Sequence, residues 1–338
     1  MQIFLIILAA LVILGLALNY WGLRIREKGM QPINKAELDA DDQRIALTDT
    51  GRQIAYCSYG VQSSDAPVFI NIHGSQLEAG FERATYAQVC DTLQCRGIAI
   101  SLPGYGFTDQ KPGRQVNGWP AEDLAAVLKA ESVETFYITG HSQGTPHAMA
   151  AALYYADRCL GLGLNAPLLP TKLCQELGLG KTLGTGWTPT SVRLRSAYMG
   201  WYFTLFHVVY GLLPPSITSS YIKKGFPRVA ADTALMHRFE TALQRSTCRG
   251  TTGSAWESAQ DTCFNWGFDV RNLHHGNACV WHADDDQAIP PDQGKWLAQH
   301  LDADYRHEAE GYGHLTYCAG QYQDPEKSLI SALLTRAR

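Results

Sequence analysis

A strand-like run over residues 134–139 ends in Gly140-His141-Ser142-Gln143-Gly144, and a small-residue run of helical character, 146–156, follows at once. A chain that passes from strand to helix within five residues must turn sharply. Glycine at both ends of the turn lets the two backbones approach closely enough. The turn therefore fixes a strand–helix unit and holds the Ser142 hydroxyl clear of the backbone. A Gly-rich chain can match G-x-S-x-G by chance, so it is the position between strand and helix that gives the pattern weight.

The surrounding pattern repeats that unit. Residues 43–60 read as two short strands around Asp49-Thr50-Gly51-Arg52, a turn with hairpin chemistry. Strands at 67–72, 97–101, 134–139 and 161–165 then alternate with helices at 81–95, 119–130 and after Ser142. The alternation breaks over 171–275 and resumes with a strand at 279–282, a helix at 291–301, a strand at 305–308 and a last helix at 328–335. This rhythm predicts an α/β fold with a mainly parallel sheet covered by helices on both faces. The expected organisation is a core over 43–170 and 276–338, interrupted by a helical lid over 171–275.

Hydrophobic residues make up 46% of the 338, and charged residues 18%. That balance suits a large core rather than a disordered chain. A net charge of −4 with no Lys/Arg block leaves no electrostatic footprint for nucleic acid. The nine cysteines show no metal-ligand spacing and no C-x-x-C, which fits buried thiols better than a disulfide framework.

Residues 1–23 carry no charged side chain. As a helix at 1.5 Å per residue they would span roughly 30 Å, the thickness of a bilayer core. Tyr20 and Trp21 fall where an interfacial aromatic belt would lie, and Arg24, Arg26 and Lys28 follow. The segment is expected to be a single-pass membrane anchor, with 24–42 as a linker and the main domain on the cytoplasmic face. A cleaved signal is the alternative, but it normally carries basic residues before the apolar run, and none are present.

An activated serine needs a base for its proton, a group to hold that base, and donors for the developing oxyanion. Glu310-Gly311-Tyr312-Gly313-His314 follows a late strand, and its glycine-rich loop offers His314 as the base. The orienting acid should follow the preceding strand, where Asp284, Asp285 and Asp286 are adjacent. Three neighbouring carboxylates repel, so most must face solvent. Asp286 is the first choice and Asp285 the second; alternatively all three cap the helix beginning at Pro291. Oxyanion donors are expected from the backbone N–H of Gln143 and of Ser75, the latter in the loop His73-Gly74-Ser75. His73 is expected to brace that loop by hydrogen bonding rather than to act as a base.

These blocks resemble those of the α/β-hydrolase superfamily, in its cap-bearing serine branch. His73-Gly74, Pro103-Gly104-Tyr105-Gly106-Phe107-Thr108-Asp109, the turn at Ser142, Asp286 and His314 occur in the order that fold uses. The likeness covers 43–338 and is weakest in the lid. It implies a Ser142–His314–Asp286 triad working through an acyl-enzyme, with no metal or organic cofactor. Two positions depart from the pattern: Ser101 stands where relatives often have Asp, and Ala283 where Gly is common. A serine at 142 argues against dehalogenation and epoxide hydrolysis, which use Asp there.

The lid holds the clue to substrate. Residues 196–222 carry no formal charge and include Tyr198, Trp201, Tyr202, Phe203, Phe206 and Tyr210. They could line an apolar pocket over Ser142, form the lid's own core, or dip into a bilayer. The expected activity is hydrolysis of an apolar or lipid-like carboxylic ester. The alternatives are another hydrolysis by the same triad (C–C cleavage, aminopeptidase-like or perhydrolase action) or a silent binding protein.

Overall fold

The structure is a computed structural model that describes residues 2–29, 36, 38, 42–111, 113–182, 191–212, 227–263, 265–307 and 311–336. Its centre is one eight-stranded sheet. In chain order the strands are β1 (Arg44–Leu47), β2 (Gln53–Gly60), β3 (Val68–Ile72), β4 (Arg96–Ile100), β5 (Phe136–His141), β6 (Cys159–Asn165), β7 (Ala278–Trp281) and β8 (Asp304–Arg306). Their order across the sheet is β1-β2-β4-β3-β5-β6-β7-β8. β1 and β2 form the expected hairpin, in which Thr48 N–H bonds Arg52 O at 3.0 Å and Gly51 takes φ +80°. β2 runs antiparallel to β4, and every later pairing is parallel.

The inner strands bury both faces, and their period of two sorts the core into two halves. Ile70, Ile72, Ile98, Ile100, Ile138 and Leu162 point into one cluster. Phe69, Ala99, Tyr137 and Cys279 point into the other. Several helices cover the sheet: α2 (Ala79–Thr92), α3 (Ala125–Ala130), α4 (Thr145–Tyr154), α10 (Pro291–His300) and α11 (Leu329–Arg336). Glu78 starts α2 by accepting Gly80 N–H at 2.7 Å and Phe81 N–H at 3.1 Å, an N-cap that satisfies two otherwise unpaired donors. The helix expected over 119–130 is more broken than its sequence suggested, with a π-turn at Pro120–Leu124 leading into α3. Eight described cysteines are free, and all but Cys248 are buried.

Between β6 and β7 the described elements are helices, α5 (Thr171–Leu177), α6 (Val192–Leu212), α7 (Pro227–Ala231), α8 (Thr233–Ser246) and α9 (Thr252–Cys263), with one turn of 3₁₀ at Val270–Asn272. Tyr198, Trp201 and Tyr202 on α6 are half exposed rather than enclosed over the sheet. The side chains of Phe203, Phe206 and Tyr210, expected to line a pocket, lie outside the described residues.

The transmembrane span expected over 1–23 is not supported by the structure. Helix α1 (Gln2–Gly29) is present, but among the described residues no helix is long and apolar enough to cross a membrane. Ile3, Phe4, Ile6, Ile13 and Leu16 on α1 are 65–75% exposed. A Cβ on Gly15 would lie 3.1 Å from the Trp201 ring, so α1 rests against α6.

Candidate active site

The site forms where β3, β5 and β7 end. β5 runs straight into a 3₁₀ turn, Ser142–Gly144, and then into α4. Ser142 takes φ +51°, a left-handed conformation that costs a non-glycine residue about 1–3 kcal/mol and persists only where its surroundings hold it. The flanking glycines show what does so. A Cβ on Gly140 would meet Gly144 O at 2.6 Å, and one on Gly144 would meet Ile72 O at 2.5 Å and His73 O at 2.6 Å. The Thr145 hydroxyl donates to Ser142 O at 2.6 Å and closes the turn.

The loop after β3 lies directly against this turn. A Cβ on Gly74 would be 3.1 Å from Ser142 Cβ and 2.7 Å from His141 Nδ1, so only glycine fits there without displacement. Ser75 follows in the same turn, and Leu77 N–H bonds back to Gly74 O at 3.3 Å. His73 braces the loop, as its sequence position suggested. Its Nε2 accepts Leu102 N–H at 2.9 Å, so its Nδ1–H donates to Gly74 O at 2.7 Å. Burial holds this imidazole down at about 4, as an accepting ring nitrogen requires. Ser101, the first departure from the family pattern, uses its hydroxyl to accept Ala79 N–H at 3.0 Å and anchors the start of α2.

His314 opens a 3₁₀ segment, Gly313–Cys318. Its Nδ1 lies 2.8 Å from Asp286 Oδ2, so Nδ1–H donates to the carboxylate and Nε2 remains free to act as a base. The loop is tied to the β5 turn by His141, whose Nε2–H donates to His314 O at 3.0 Å and whose ring lies 4.7 Å from that of His314. Tyr317 stacks on the His141 ring at 4.0 Å. Burial and the neighbouring His314 keep His141 neutral, well below the usual imidazole range. A small cavity of about 20 Å³ beside His314, lined by Asn165, Trp281 and Tyr317, would hold a water but no acyl group.

The three adjacent acids separate cleanly. Asp284 is exposed and pairs with His307 at 2.9 Å. Asp285 is partly buried. Asp286 has a fully buried side chain. Its Oδ1 accepts Ala288 N–H at 2.7 Å and Ile289 N–H at 3.1 Å. Its Oδ2 faces His314 and, at 3.3 Å, His282 Nε2. None of the three caps α10, which begins after Pro290 without a side-chain cap. Burial alone would push the Asp286 carboxyl up. The charge of His314 and the hydrogen bonds from His282 and His314 outweigh it and hold the group ionised, well below the ordinary carboxylate range.

His282 is the site residue that sequence reasoning missed. Its Nε2–H donates to Ile289 O at 2.9 Å and is shared with Asp286 Oδ2, which gives the acid a second partner beside His314. The spacing of four residues between His282 and Asp286, across a strand end, was the available signal.

These buried groups predict a stability maximum between about pH 6 and 7. His73 and His141 stay neutral when folded but take up protons when unfolded, so stability falls as pH drops below the ordinary imidazole value of 6.5. Glu82 on α2 is buried, hydrogen-bonded by the Tyr317 hydroxyl at 2.7 Å, and raised to about 8, chiefly by burial. It keeps its proton when folded and loses it when unfolded, so stability also falls as pH rises from about 4.5 toward 8. Below 6.5 the two histidines outweigh the one acid; above it Glu82 acts alone and costs about 2 kcal/mol by pH 8. Thermal unfolding followed against pH should show both limbs, and Glu82→Gln should remove the alkaline one. A profile with no fall from pH 6.5 to 8 in the parent protein would refute the assignment.

A mainly parallel sheet with a left-handed serine at the strand-to-helix turn, and a histidine–carboxylate pair delivered from two later loops, defines an α/β-type hydrolase scaffold. The chain belongs to the alpha/beta hydrolase family, whose model matches residues 68–327. No curated protein matches the sequence. Among solved structures, a thermophilic esterase from Thermogutta terrifontis is similar at 18% identity and TM-score 0.62, over 87% of this chain and 98% of the esterase. The enol-lactonase from Burkholderia xenovorans LB400 is similar at 14% and 0.61, over 86% and 100%. The meta-cleavage product hydrolase from Pseudomonas fluorescens IP01 is similar at 18% and 0.56, over 88% and 100%. At these identities the likeness is one of fold.

Proposed function

We propose that this protein is a serine hydrolase that cleaves apolar carboxylic esters. The observation that carries this reading is the His314–Asp286 pair, tied through His141 to the strained turn that presents Ser142. In the proposed reaction His314 Nε2 takes the Ser142 proton as Oγ attacks the ester carbonyl. Backbone N–H groups of Ser75 and Gln143 receive the oxyanion, and Asp286 stabilises the imidazolium. His314 then protonates the leaving alcohol. Water, deprotonated by His314, hydrolyses the acyl-enzyme and restores Ser142. No step calls for a metal or organic cofactor.

The helical segment between β6 and β7 is read as the lid that selects the substrate. Its helix α6 and the adjoining α1 expose Tyr198, Trp201, Tyr202 and most of the apolar side chains of 3–16. A surface of that kind favours an apolar ester offered at a lipid interface, with α1 as the membrane-associating element. The test is hydrolysis of p-nitrophenyl esters of graded acyl length, each supplied in solution and in phosphatidylcholine vesicles. Activity is expected to rise from acetyl to longer chains and to be enhanced by vesicles. Activity confined to acetyl esters would sink the apolar-substrate reading. Equal rates with and without vesicles would sink the membrane reading.

A further inference from the structure

A buried charge cluster joins the helical segment to the proposed oxyanion hole. Glu257 on α9 and Arg114 on the core are both buried, and their side chains form an ion pair through Glu257 Oε2 and Arg114 Nη2. The other oxygen, Glu257 Oε1, lies 2.9 Å from Nε2 of the buried His147. His147 sits in the first turn of α4, with Nδ1 3.3 Å from Gln143 O. The next lid residue, Ser258, accepts Gln143 Nε2–H at its hydroxyl at 3.1 Å. Two consecutive residues of α9 thus reach Gln143, one at its carbonyl end through His147 and one at its side chain.

The same helix is seated too closely to be an incidental neighbour. A Cβ on Gly104 would lie 2.5 Å from Gly253 Cα, so the start of α9 meets the loop after β4 backbone to backbone. Arg114 Nη2 donates to Gly253 O at 3.2 Å, and Trp256 Nε1–H donates to Arg114 O at 2.9 Å. Burying a carboxylate and a guanidinium costs several kcal/mol in desolvation, and an apolar pair of similar volume is often as stable. Net stability is therefore a poor reason for this cluster, whereas its contacts with both ends of Gln143 are a good one.

We propose that Glu257 is a positioning residue for the oxyanion hole: from the lid it holds His147, and through it the Gln143 backbone whose N–H receives the developing charge. The inference rests on the serine-hydrolase reading above. Under it the hole is complete only when α9 is docked, so lid seating and transition-state stabilisation are one event.

The test compares wild type, Glu257→Gln and Ser142→Ala with p-nitrophenyl butyrate and an alkyl trifluoromethyl ketone, which forms a hemiketal oxyanion on an active serine. Glu257→Gln is expected to lower kcat about tenfold, with KM within about twofold, and to weaken ketone binding by the same factor as kcat/KM. A purely structural role would lower Tm and leave the ratio of ketone to substrate affinity unchanged. That result, or an unchanged kcat, overturns the proposal. Ser258→Ala removes one uncharged bond to the Gln143 side chain and serves if Glu257→Gln does not fold; it should lower kcat about threefold with the same parallel loss of ketone affinity. A wild type that neither turns over the ester nor binds the ketone would instead overturn the hydrolase reading.

Discussion

Ser142→Ala is expected to lower kcat by about 10⁶-fold and to abolish labelling by a fluorophosphonate probe, while the fold survives. The argument starts from the turn. Ser142 holds φ +51° in a turn whose flanking glycines pack tightly, Gly140 on Gly144 and Gly144 on Ile72 O and His73 O. Alanine has a Cβ in the same place and meets the same left-handed cost, so Tm should stay within about 2 °C of wild type. What is removed is Oγ and with it the covalent step. His314 and the proposed oxyanion donors remain, and groups of this kind retain about 10³–10⁴-fold catalysis over water without their nucleophile. The measurement is kcat on the best ester of the acyl series, with probe labelling of both proteins in the folded state. Persistent labelling of Ser142→Ala would place the nucleophile elsewhere; a wild type that takes no label would point to a silent binding protein.

The turn was readable from sequence because its constraint is local. Glycine at 140 and 144 is required by contacts within a few residues and by one neighbouring strand, and the strand–turn–helix order is written in consecutive residues. The parallel sheet was readable for a related reason: strands buried on both faces give apolar runs such as 68–72 and 96–100 that alternate with helical spacing. His73 was placed correctly as a brace because a histidine before a turning glycine has backbone groups on both sides to bond.

Features set by contacts between distant segments were not readable. Nothing near Glu257 announces that it meets Arg114 and His147, since those partners are 143 and 110 residues away along the chain. The seating of α9 on Gly104 is a backbone contact, for which sequence has no direct mark. The apolar start of the chain is a different case. Hydropathy suggested a membrane span, but which segment such a helix rests on is set by a distant contact: α1 leans on α6 through Gly15 and Trp201.

Asp286→Asn tests the one site assignment that adjacency made ambiguous, and is expected to lower kcat by about 10⁴-fold with little change in KM. An amide that keeps its oxygen toward Ala288 N–H and Ile289 N–H must turn its NH₂ toward His314 Nδ1 and His282 Nε2. Both are donors. His282 cannot exchange roles, because its Nε2–H is committed to Ile289 O and its buried Nδ1 has no acceptor among the described residues for a proton moved there. His314 can, by moving its proton to Nε2, and that places hydrogen on the nitrogen meant to deprotonate Ser142. The flipped amide is no better, since its NH₂ would face two backbone N–H groups. Either arrangement leaves buried donors opposed, so a loss of about 2 kcal/mol in stability should accompany the loss of rate. Asp285→Asn is the control. Asp285 makes none of these contacts, so its variant should stay within about twofold of wild-type kcat. Steady-state kinetics of the two variants side by side decides the matter: inactivity in Asp285→Asn with activity in Asp286→Asn would transfer the orienting role by one residue and detach His314 from the carboxylate it faces here.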